Sequence, residues 1–449
     1  MKKIIIMITA ILAGNVEAKR AYGLVTIGTG WCNDYQTVIS DWFASRANFL
    51  VQTKAPFTVP HQIVFDDITY NFYHIPIGIF QSDIIKVYIA PGTLLDLDLL
   101  VKEVEDLIKI GIDTKKRIRI SASAQILMPH EIIIGRCSRK KKMCRIGAGV
   151  RVGVGAASSD KCMGVAFRLA DLMSSDYKEL LQEAVDRGNE VIVKLYNEKP
   201  VDFKEVYNKF TKYRKILKFY VRDGIELKFN QMLSHGKIGV FDSPYGTYLD
   251  STHGTYTCTS GVSALASSIC ASAGVGFKRI KSVVGIVDAY SIYPGDGKIV
   301  TEIIDENVIK KVKTSFGKRY KKEHQYGWID LVMIRQAVMI NGVDCLAFNG
   351  LQLLDDLDEI KMCVDYDLDG RHLDYPAPAI EDQKRVIPHY LVFPGWKKST
   401  KNARVFSDLP QEARIFLKQL ECLAGVPVAI VSVGLEPQEM VLIQGYCFP

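Results

Sequence analysis

The stretch GTGWCNDYQTVI, residues 28–39, combines the glycines of a tight turn with three polar side chains, Asn33, Asp34 and Gln36. It follows the apolar run YGLVTI, which is typical of a buried strand, and it leads into a helical pattern. A strand, a glycine turn and a helix in this order point backbone N–H groups at a phosphate. The stretch has no lysine and no glycine after Gly30. It therefore predicts the cradle of an anion site without the usual cation.

The rest of the sequence offers no spacing typical of a metal site or of a nucleic-acid reader. Ten cysteines are spread along the chain without a CxxC pair, so no zinc spacing occurs. The net charge of +7 is small for 449 residues, which suits an anionic ligand but does not indicate nucleic acid. The basic run RCSRKKKMCR, residues 136–145, has no interleaved aromatic residue and favours a solvated loop over a polyanion contact. We predict neither a metal site nor a nucleic-acid partner from these residues.

The elements that must position these groups alternate between strand-like and helical patterns. Long amphipathic runs predict helices, and short apolar runs predict strands buried in a parallel sheet. This alternation predicts an α/β protein with a large, mostly parallel central sheet flanked by helices. No Pro/Ser-rich linker divides the chain, so we expect a single domain over residues 19–449. The helical runs are LLDLDLLVKEVEDLIKIG, DYKELLQEAVDRGNEVIVKLY, DFKEVYNKFTKYRKILKFYVRDGIEL and VSALASSICASAG, and the strand runs include RIRISASAQIL, KIGVFDS, SVVGIVDAYSI, DCLAFNGL and VPVAIVSVG.

The first 18 residues have the layout of a secretory signal peptide. Two lysines precede a short apolar run, and Val16 and Ala18 occupy the −3 and −1 positions of a cleavage site. The apolar run is too short to span a bilayer, and no later segment is predicted to be transmembrane. Two interpretations stay open: an exported or periplasmic protein that begins near Lys19, or a cytoplasmic protein with an additional buried strand.

Three stretches together resemble the adenylosuccinate synthetase family. They are FDSPYGTYLDSTHGTYTCTS (241–260), GWIDLVMIRQAVMING (327–342) and the run from VFPGWKKST to DLP (392–410). The similarity extends from about residue 21 to the end of the sequence. It implies a fold related to the P-loop NTPases and a homodimer. It also implies ligation of IMP to L-aspartate with GTP and magnesium as cofactors, in purine nucleotide biosynthesis.

In the glycine turn, the resemblance implies that Trp31 is a retained family residue and that the polar residues after it are changed. The family's catalytic aspartate, which deprotonates the purine ring and holds magnesium, corresponds to Asn33. The next acidic position is Asp34, and the loop lysine corresponds to Gln36. An amide takes no proton at neutral pH and is a weak magnesium ligand. Losing a general base costs about 10²–10⁴ in rate.

The other ligand positions that the resemblance implies are changed in the same way. The catalytic histidine falls on His61, although its glycine- and asparagine-rich surroundings have become APFTVP. Among the IMP contacts, Arg151 is kept, a glutamine corresponds to Tyr245, and a threonine corresponds to Ser260. The two arginines that clamp aspartate fall on Lys322 and His324, neither of which can form the same bidentate fork. The lysine and aspartate that read guanine fall on Gly350 and Gln352.

Residues that set turns and packing are retained, whereas charged and polar ligand contacts are changed. This pattern favours a divergent homologue that keeps the fold and has lost or strongly weakened the ligase activity. A working GTP-dependent ligase with rearranged residues, Asp34 replacing the lost acid, is an alternative. A ligase with a changed nucleotide substrate is another, since Gln352 suits a base other than guanine.

Overall fold

The computed structural model describes residues 22–31, 36–54, 61–65, 68–80, 85–140, 152–256, 259–293, 299–316, 325–434, 436 and 438–443. The N-terminal segment interpreted above as a signal peptide lies outside these residues. Among the described helices, none combines the length and the apolar character needed to cross a bilayer.

The described strands range from two residues to ten. In chain order they are β1 (Tyr22–Gly28), β2 (Phe49–Gln52), β3 (His61–Phe65), β4 (Ile68–Phe72), β5 (Lys86–Ile89), β6 (Leu94–Leu95), β7 (Ile118–Ser121), β8 (Gln125–Ile126), β9 (Val221–Arg222), β10 (Ile238–Gly246), β11 (Ile280–Asp288), β12 (Ser291–Tyr293), β13 (Gln325–Gly327), β14 (Ile329–Asp330), β15 (Cys345–Asn349), β16 (Glu359–Leu368), β17 (Arg371–Leu373), β18 (Ile387–Pro394), β19 (Val428–Ser432) and β20 (Met440–Leu442).

The described helices surround these strands. They are α1 (Gln36–Ala44), α2 (Leu97–Lys109), α3 (Thr114–Arg117), α4 (Pro129–Lys140), α5 (Val154–Cys162), α6 (Leu169–Met173), α7 (Tyr177–Lys194), α8 (Phe203–Leu217), α9 (Ile225–Ser234), α10 (Ala266–Ala273), α11 (Glu306–Phe316), α12 (Leu331–Asn341), α13 (Ile380–Gln383) and α14 (Gln411–Ala424). Short 3₁₀ turns cover Ile77–Phe80, Thr247–Leu249, Phe277–Arg279, Leu351–Leu354 and Phe406–Asp408.

A ten-stranded sheet forms the centre of the fold, in the order β20-β19-β15-β11-β1-β10-β2-β5-β7-β9. Every pairing in it is parallel except that of β19 with β20. Buried apolar side chains join this sheet to α1, α2 and α7 in one cluster and to α12 and α14 in another. The predicted α/β class and the mostly parallel sheet are confirmed.

The glycine turn lies where its sequence predicts. The strand β1 ends at Gly28, and the helix α1 begins at Gln36. Since β1 pairs with both β10 and β11, its carboxyl end opens at the middle of the sheet. Ligands of open α/β sheets bind in the crevice outside these strand ends.

Two predicted elements are divided in the structure. The helical pattern DFKEVYNKFTKYRKILKFYVRDGIEL, residues 202–227, gives α8, the edge strand β9 and the start of α9. The chain leaves the helix because Val221 pairs with Ile120 of β7 and Gly224 adopts a left-handed conformation with φ 62°. The run RIRISASAQIL likewise gives β7 and β8 instead of one strand.

Candidate functional site

The base of the glycine turn is fixed to the segment that follows β10. The buried Trp31 indole donates a hydrogen bond from Nε1 to Thr255 Oγ1 at 2.7 Å, and its ring packs edge-on against Tyr293, with 4.9 Å between centroids. The backbone carbonyls of Gly30 and Trp31 accept hydrogen bonds from Tyr248 and Gly246, at 3.0 and 3.1 Å. The retained tryptophan therefore anchors the turn.

This attachment requires glycine at position 246. A Cβ atom there would lie 2.3 Å from the carbonyl oxygen of Gly30, which is closer than real Cβ contacts allow. Any other residue would push the two segments apart and break their hydrogen bonds. The retention of Gly246 thus has a structural explanation that needs no ligand.

A cluster of polar groups lies at the carboxyl ends of β1 and β10. Asp242 Oδ1 accepts hydrogen bonds from Thr26 Oγ1 at 2.7 Å and from Ser40 Oγ at 2.9 Å. Next to Ser40, the Asp41 carboxyl is buried, and burial raises its pKa well above the ordinary value, with a further rise from the charge of Asp242. The crevice thus has a carboxylate held by two hydroxyls and a second carboxyl that retains its proton to higher pH.

A buried lysine lies at the adjoining end of β2. Lys54 is 5% exposed and donates from Nζ to the Ser263 carbonyl oxygen at 2.8 Å and to Ser268 Oγ at 2.6 Å. Burial lowers its pKa to about 7, although the charge of Asp250 opposes that shift. It is therefore a cation that loses its proton near neutral pH.

Hydrogen bonds from its own segment hold Asp250 in place. Its Oδ1 accepts from the backbone N–H groups of Thr252 and His253, at 2.8 and 2.9 Å, and its Oδ2 accepts from Ser263 Oγ and the Ala264 N–H, at 2.6 and 2.7 Å. Burial pushes the pKa of this carboxyl up, but these hydrogen bonds outweigh burial and hold the pKa below its ordinary value. Asp250 thus shapes the loop as a fixed anion.

The predicted IMP contact Ser260 is part of the same loop. Its N–H donates to the Leu249 carbonyl oxygen at 2.7 Å, and its hydroxyl donates to the Val262 carbonyl oxygen, also at 2.7 Å. The side chain is buried, at 3% exposure. The Ser260 hydroxyl therefore bonds within its own loop.

The predicted contact Tyr245 lies in an apolar cluster. It has 0% exposure and packs in a group of buried side chains that includes Trp31, Tyr248 and Leu249. A cavity at the glycine turn, lined by residues such as Gly30, Trp31 and Asp288, has a volume of about 30 Å³. Pockets for small molecules have volumes of about 300–1,000 Å³, so this cavity is too small for a nucleotide.

Motif residues of the second stretch also have structural roles. Asp330 caps α12 by accepting from the Met333 N–H at 3.1 Å. At the other end of that helix, Asn341 donates to Thr247 Oγ1 at 2.9 Å and accepts from the Ala266 N–H at 2.8 Å. These residues connect α12 to the segment that begins the loop after β10.

A polar network closes the carboxyl end of β15, where the resemblance implies the guanine reader. Asn349 donates from Nδ2 to Asp288 Oδ1 at 2.6 Å and accepts at Oδ1 from Ser432 Oγ at 3.0 Å. The N–H of Gly350 donates to the same Ser432 hydroxyl oxygen at 2.9 Å. The Asn349 amide and the Ser432 hydroxyl therefore bond to each other and to the chain around them.

The Gln352 side chain, unlike those of Asn349 and Ser432, has an unpaired acceptor. It lies in the 3₁₀ turn Leu351–Leu354, and its Oε1 is buried without a hydrogen-bond partner among the described residues. A buried acceptor left unpaired costs about 1–3 kcal/mol. Among the predicted site residues whose side chains are described, Gln352 therefore retains the capacity to bind a donor.

Several predicted residues cannot be placed in this geometry. His61 begins β3, which forms a hairpin with β4, and only its backbone is described. Gln36 is the first residue of α1, again with only its backbone described. The remaining predicted site residues lie outside the described residues: Asn33, Asp34, Arg151, Lys322 and His324.

The structure adds two residues that the sequence analysis did not select. Lys54 lies two residues after β2, and Asp242 lies within β10 opposite Gln52, the last residue of β2. Polar residues that directly follow apolar strand runs meet at one edge of a parallel sheet. This signal could have identified both residues.

Comparison with known proteins agrees with the fold. The family model described as "Adenylosuccinate synthetase" matches residues 25–441. The adenylosuccinate synthetase of Gloeothece citriformis is 33% identical over 425 residues, which cover 94% of this chain and 94% of that protein. The corresponding protein of Limosilactobacillus reuteri is 31% identical over 424 residues, covering 94% of this chain and 98% of that protein.

Solved structures share the fold at lower identity. The fully ligated adenylosuccinate synthetase of Plasmodium falciparum superimposes with a TM-score of 0.86 at 23% identity, covering 93% of this chain and 99% of that one. The succinoaminodeoxyadenylate synthetase of cyanophage S-2L gives a TM-score of 0.58 at 12% identity, covering 94% and 95%. The family match over nearly the whole chain, together with relatives more than 30% identical, establishes that this chain belongs to the adenylosuccinate synthetase family.

Proposed function

We propose that this family member is a divergent homologue that has lost, or retains only a small part of, the ligation of IMP to L-aspartate. The family depends on GTP and magnesium for that reaction, and it binds IMP. The proposal concerns the side chains that would contact these molecules, since the scaffold that carries them is present.

The burial of Tyr245 is the observation that carries the proposal. At the position where the resemblance implies a glutamine that contacts IMP, Tyr245 is fully buried among Trp31, Tyr248 and Leu249. A phenol ring in that cluster has no path to a ligand unless the cluster opens. Opening it would expose a large aromatic side chain, whose burial contributes about 1.5–3 kcal/mol.

The guanine side of the crevice supports the same conclusion. A carboxylate that follows β15 would accept both N–H groups of the guanine edge, whereas this chain has Gly350 and Gln352 there. An amide offers one acceptor oxygen and no charge. The neighbouring Asn349 amide and Ser432 hydroxyl bond to each other, so they do not replace the carboxylate.

The described residues at the crevice offer few oxygen ligands to magnesium. Gly30 and Trp31 already use their carbonyl oxygens as acceptors. Within the described part of the chain, no three carboxylate or histidine groups meet at the crevice. Magnesium usually keeps several waters and takes one or two carboxylates together with substrate phosphates, so the change that weakens its site is Asn33, where the resemblance implies the carboxylate ligand.

The test is a direct assay of purified protein with IMP, aspartate, GTP and magnesium. The change in absorbance measures the formation of adenylosuccinate. The synthetase of Gloeothece citriformis, assayed in parallel, is the positive control. We expect no turnover above the background without protein. Turnover on the order of 1 s⁻¹ or more, as in ordinary enzymes, would show that the ligase works with rearranged residues. Asp34 and His61 would then be the first residues to replace.

A second candidate function is ligation or binding with a nucleotide other than a guanine nucleotide. The buried, unpaired Oε1 of Gln352 favours it, because a glutamine amide pairs well with the amino group and ring nitrogen of adenine. The cyanophage protein of the same fold is described as bound to dGMP and to dATP as an energy donor. Calorimetric titration with ATP and GTP, each with and without magnesium, tests this candidate. It fails if neither nucleotide binds, or if Gln352→Leu binds ATP as the unaltered protein does.

We also propose that the chain forms the homodimer implied by the family. Light scattering coupled to size-exclusion chromatography measures the mass directly. A mass equal to that of one 50.3 kDa chain over a range of concentrations would contradict this proposal.

A further inference from the structure

A second polar cluster lies between α4 and α5, and none of the crevice residues belongs to it. His130 and Glu131 are in the first turn of α4, and Asp160 is near the end of α5. One ligand atom from each of the three side chains lies within 4.8 Å of the other two. The cluster thus combines an imidazole and two carboxyl groups from two helices.

Two of these side chains are almost completely enclosed. His130 is 2% exposed and Glu131 is 1% exposed. Glu131 Oε2 accepts from the Met128 N–H at 2.6 Å, and the Glu131 carboxyl is also within hydrogen-bonding reach of the Asp160 carboxyl. His130 Nδ1 has no hydrogen-bond partner among the described residues. Two carboxyl groups that meet in a buried site need a shared proton or a shared cation between them.

The distance between His130 and Asp160 suits a shared cation better than a direct hydrogen bond. His130 Nε2 lies 3.6 Å from Asp160 Oδ2, which is too long for a hydrogen bond. Two ligands of one tetrahedral zinc ion, each at about 2.0–2.1 Å from the metal, lie about 3.4 Å apart. The largest separation of 4.8 Å would therefore contract by at most about 1.4 Å, which rotation of the partly exposed Asp160 side chain can supply.

A glycine in the neighbouring helix fixes the imidazole. A Cβ atom at Gly188 in α7 would lie 2.2 Å from His130 Cγ, so no larger residue fits beside the ring. Glycine in a helix interior costs about 1 kcal/mol relative to alanine. That cost is offset by holding the imidazole against α7 in one orientation.

The charges favour a cation as well. The negative charge of Asp160 acts on Glu131 more strongly than the positive charge of Arg187 does. Two carboxylates and a neutral imidazole would balance a divalent ion, whereas two ionised carboxylates repel each other. Imidazole with carboxylate is a ligand set of zinc-like ions, and magnesium and calcium prefer oxygen alone.

We propose that His130, Glu131 and Asp160 bind a divalent transition-metal ion of the zinc class. The ion joins α4 to α5 and takes its remaining ligand from water. This inference is independent of whether the chain retains ligase activity.

The test uses the full chain, treated with a chelator, dialysed and titrated with Co²⁺ as a spectroscopic substitute for zinc. We expect one Co²⁺ per chain, with visible bands of low-symmetry nitrogen and oxygen ligation. A thiolate-to-cobalt charge-transfer band would instead assign the metal to cysteines and overturn the proposal.

Matched variants locate the site. Glu131→Gln keeps an acceptor for the Met128 N–H, and Asp160→Asn changes a partly exposed residue, so both should fold, which circular dichroism checks. Each should weaken Co²⁺ binding by about tenfold or more, since even indirect contacts to a metal contribute that much. Asp171→Asn, which alters the carboxylate bonded to the Arg168 N–H at 2.7 Å, is the control and should bind as the unaltered chain does. Absence of binding, or equal binding by all variants, refutes the site.

Discussion

Replacement of Lys54 by methionine should change how the stability of the protein depends on pH. The ammonium group is almost fully buried and donates to the Ser263 carbonyl oxygen and the Ser268 hydroxyl. Burial lowers its pKa from 10.5 to about 7. Methionine fills a similar volume without a charge, so the variant isolates the effect of ionisation.

The direction of this pH dependence follows from the number of protons that the folded and unfolded chains bind. Between about pH 7 and 10.5 the unfolded chain binds a proton at Lys54 that the folded chain does not, so the free energy of unfolding rises with pH. Below pH 7 both states are charged, and the destabilisation is fully present. With the two pKa values above, the unaltered protein should gain about 2.6 kcal/mol between pH 6 and pH 9 relative to Lys54→Met, at about 1.36 kcal/mol per pKa unit.

Urea unfolding at pH 6 and pH 9, followed by circular dichroism, measures this difference. Lys278→Met, which changes an exposed lysine, is the matched control and should follow the unaltered protein at both values. If Lys54→Met shows the same pH dependence as the unaltered protein, the ammonium is hydrated in solution and the reasoning from burial is wrong. At pH 6 the variant should be at least as stable as the unaltered protein, unless the loss of two hydrogen bonds outweighs the removal of the charge.

Three other predictions concern the crevice and the N-terminus. Between pH 5 and pH 8, Asp41→Asn should lose less stability than the unaltered protein does. The reason is that the raised pKa of Asp41 makes ionisation of the folded chain unfavourable as pH rises. Equal shifts of the urea midpoint in both proteins would contradict this. Asn33→Asp should recover no adenylosuccinate formation in the assay above, because the aspartate clamp and the guanine reader stay changed, and measurable turnover would show that a single base was lacking. Intact-mass spectrometry of protein from its native cell should give a chain that begins near Lys19, whereas a chain that keeps Met1 would refute cleavage of the N-terminal segment.

The sequence predicted the strands and helices whose burial is uniform along the element. The strand β1 is largely apolar, with Thr26 as its polar exception, because both faces of a parallel sheet are covered. The run VSALASSICASAG ends its helix at Gly274, whose φ of 65° suits glycine. The same approach failed at residues 202–227. Their helical periodicity continues past Leu217, but the pairing of Val221 with β7 is a contact distant in the sequence, and no local pattern contains it.

The candidate site divides in a similar way. By itself, the sequence determined the family and the glycine turn after β1, and it predicted that charged family residues are replaced at Asn33 and Gln352, because these depend on residue type and order alone. Only the tertiary structure decided that Tyr245 is enclosed by Trp31 and Tyr248 and that Lys54 loses its exposure to water. Burial and the pKa of a side chain depend on what surrounds it, and that environment comes from elements far apart in the chain.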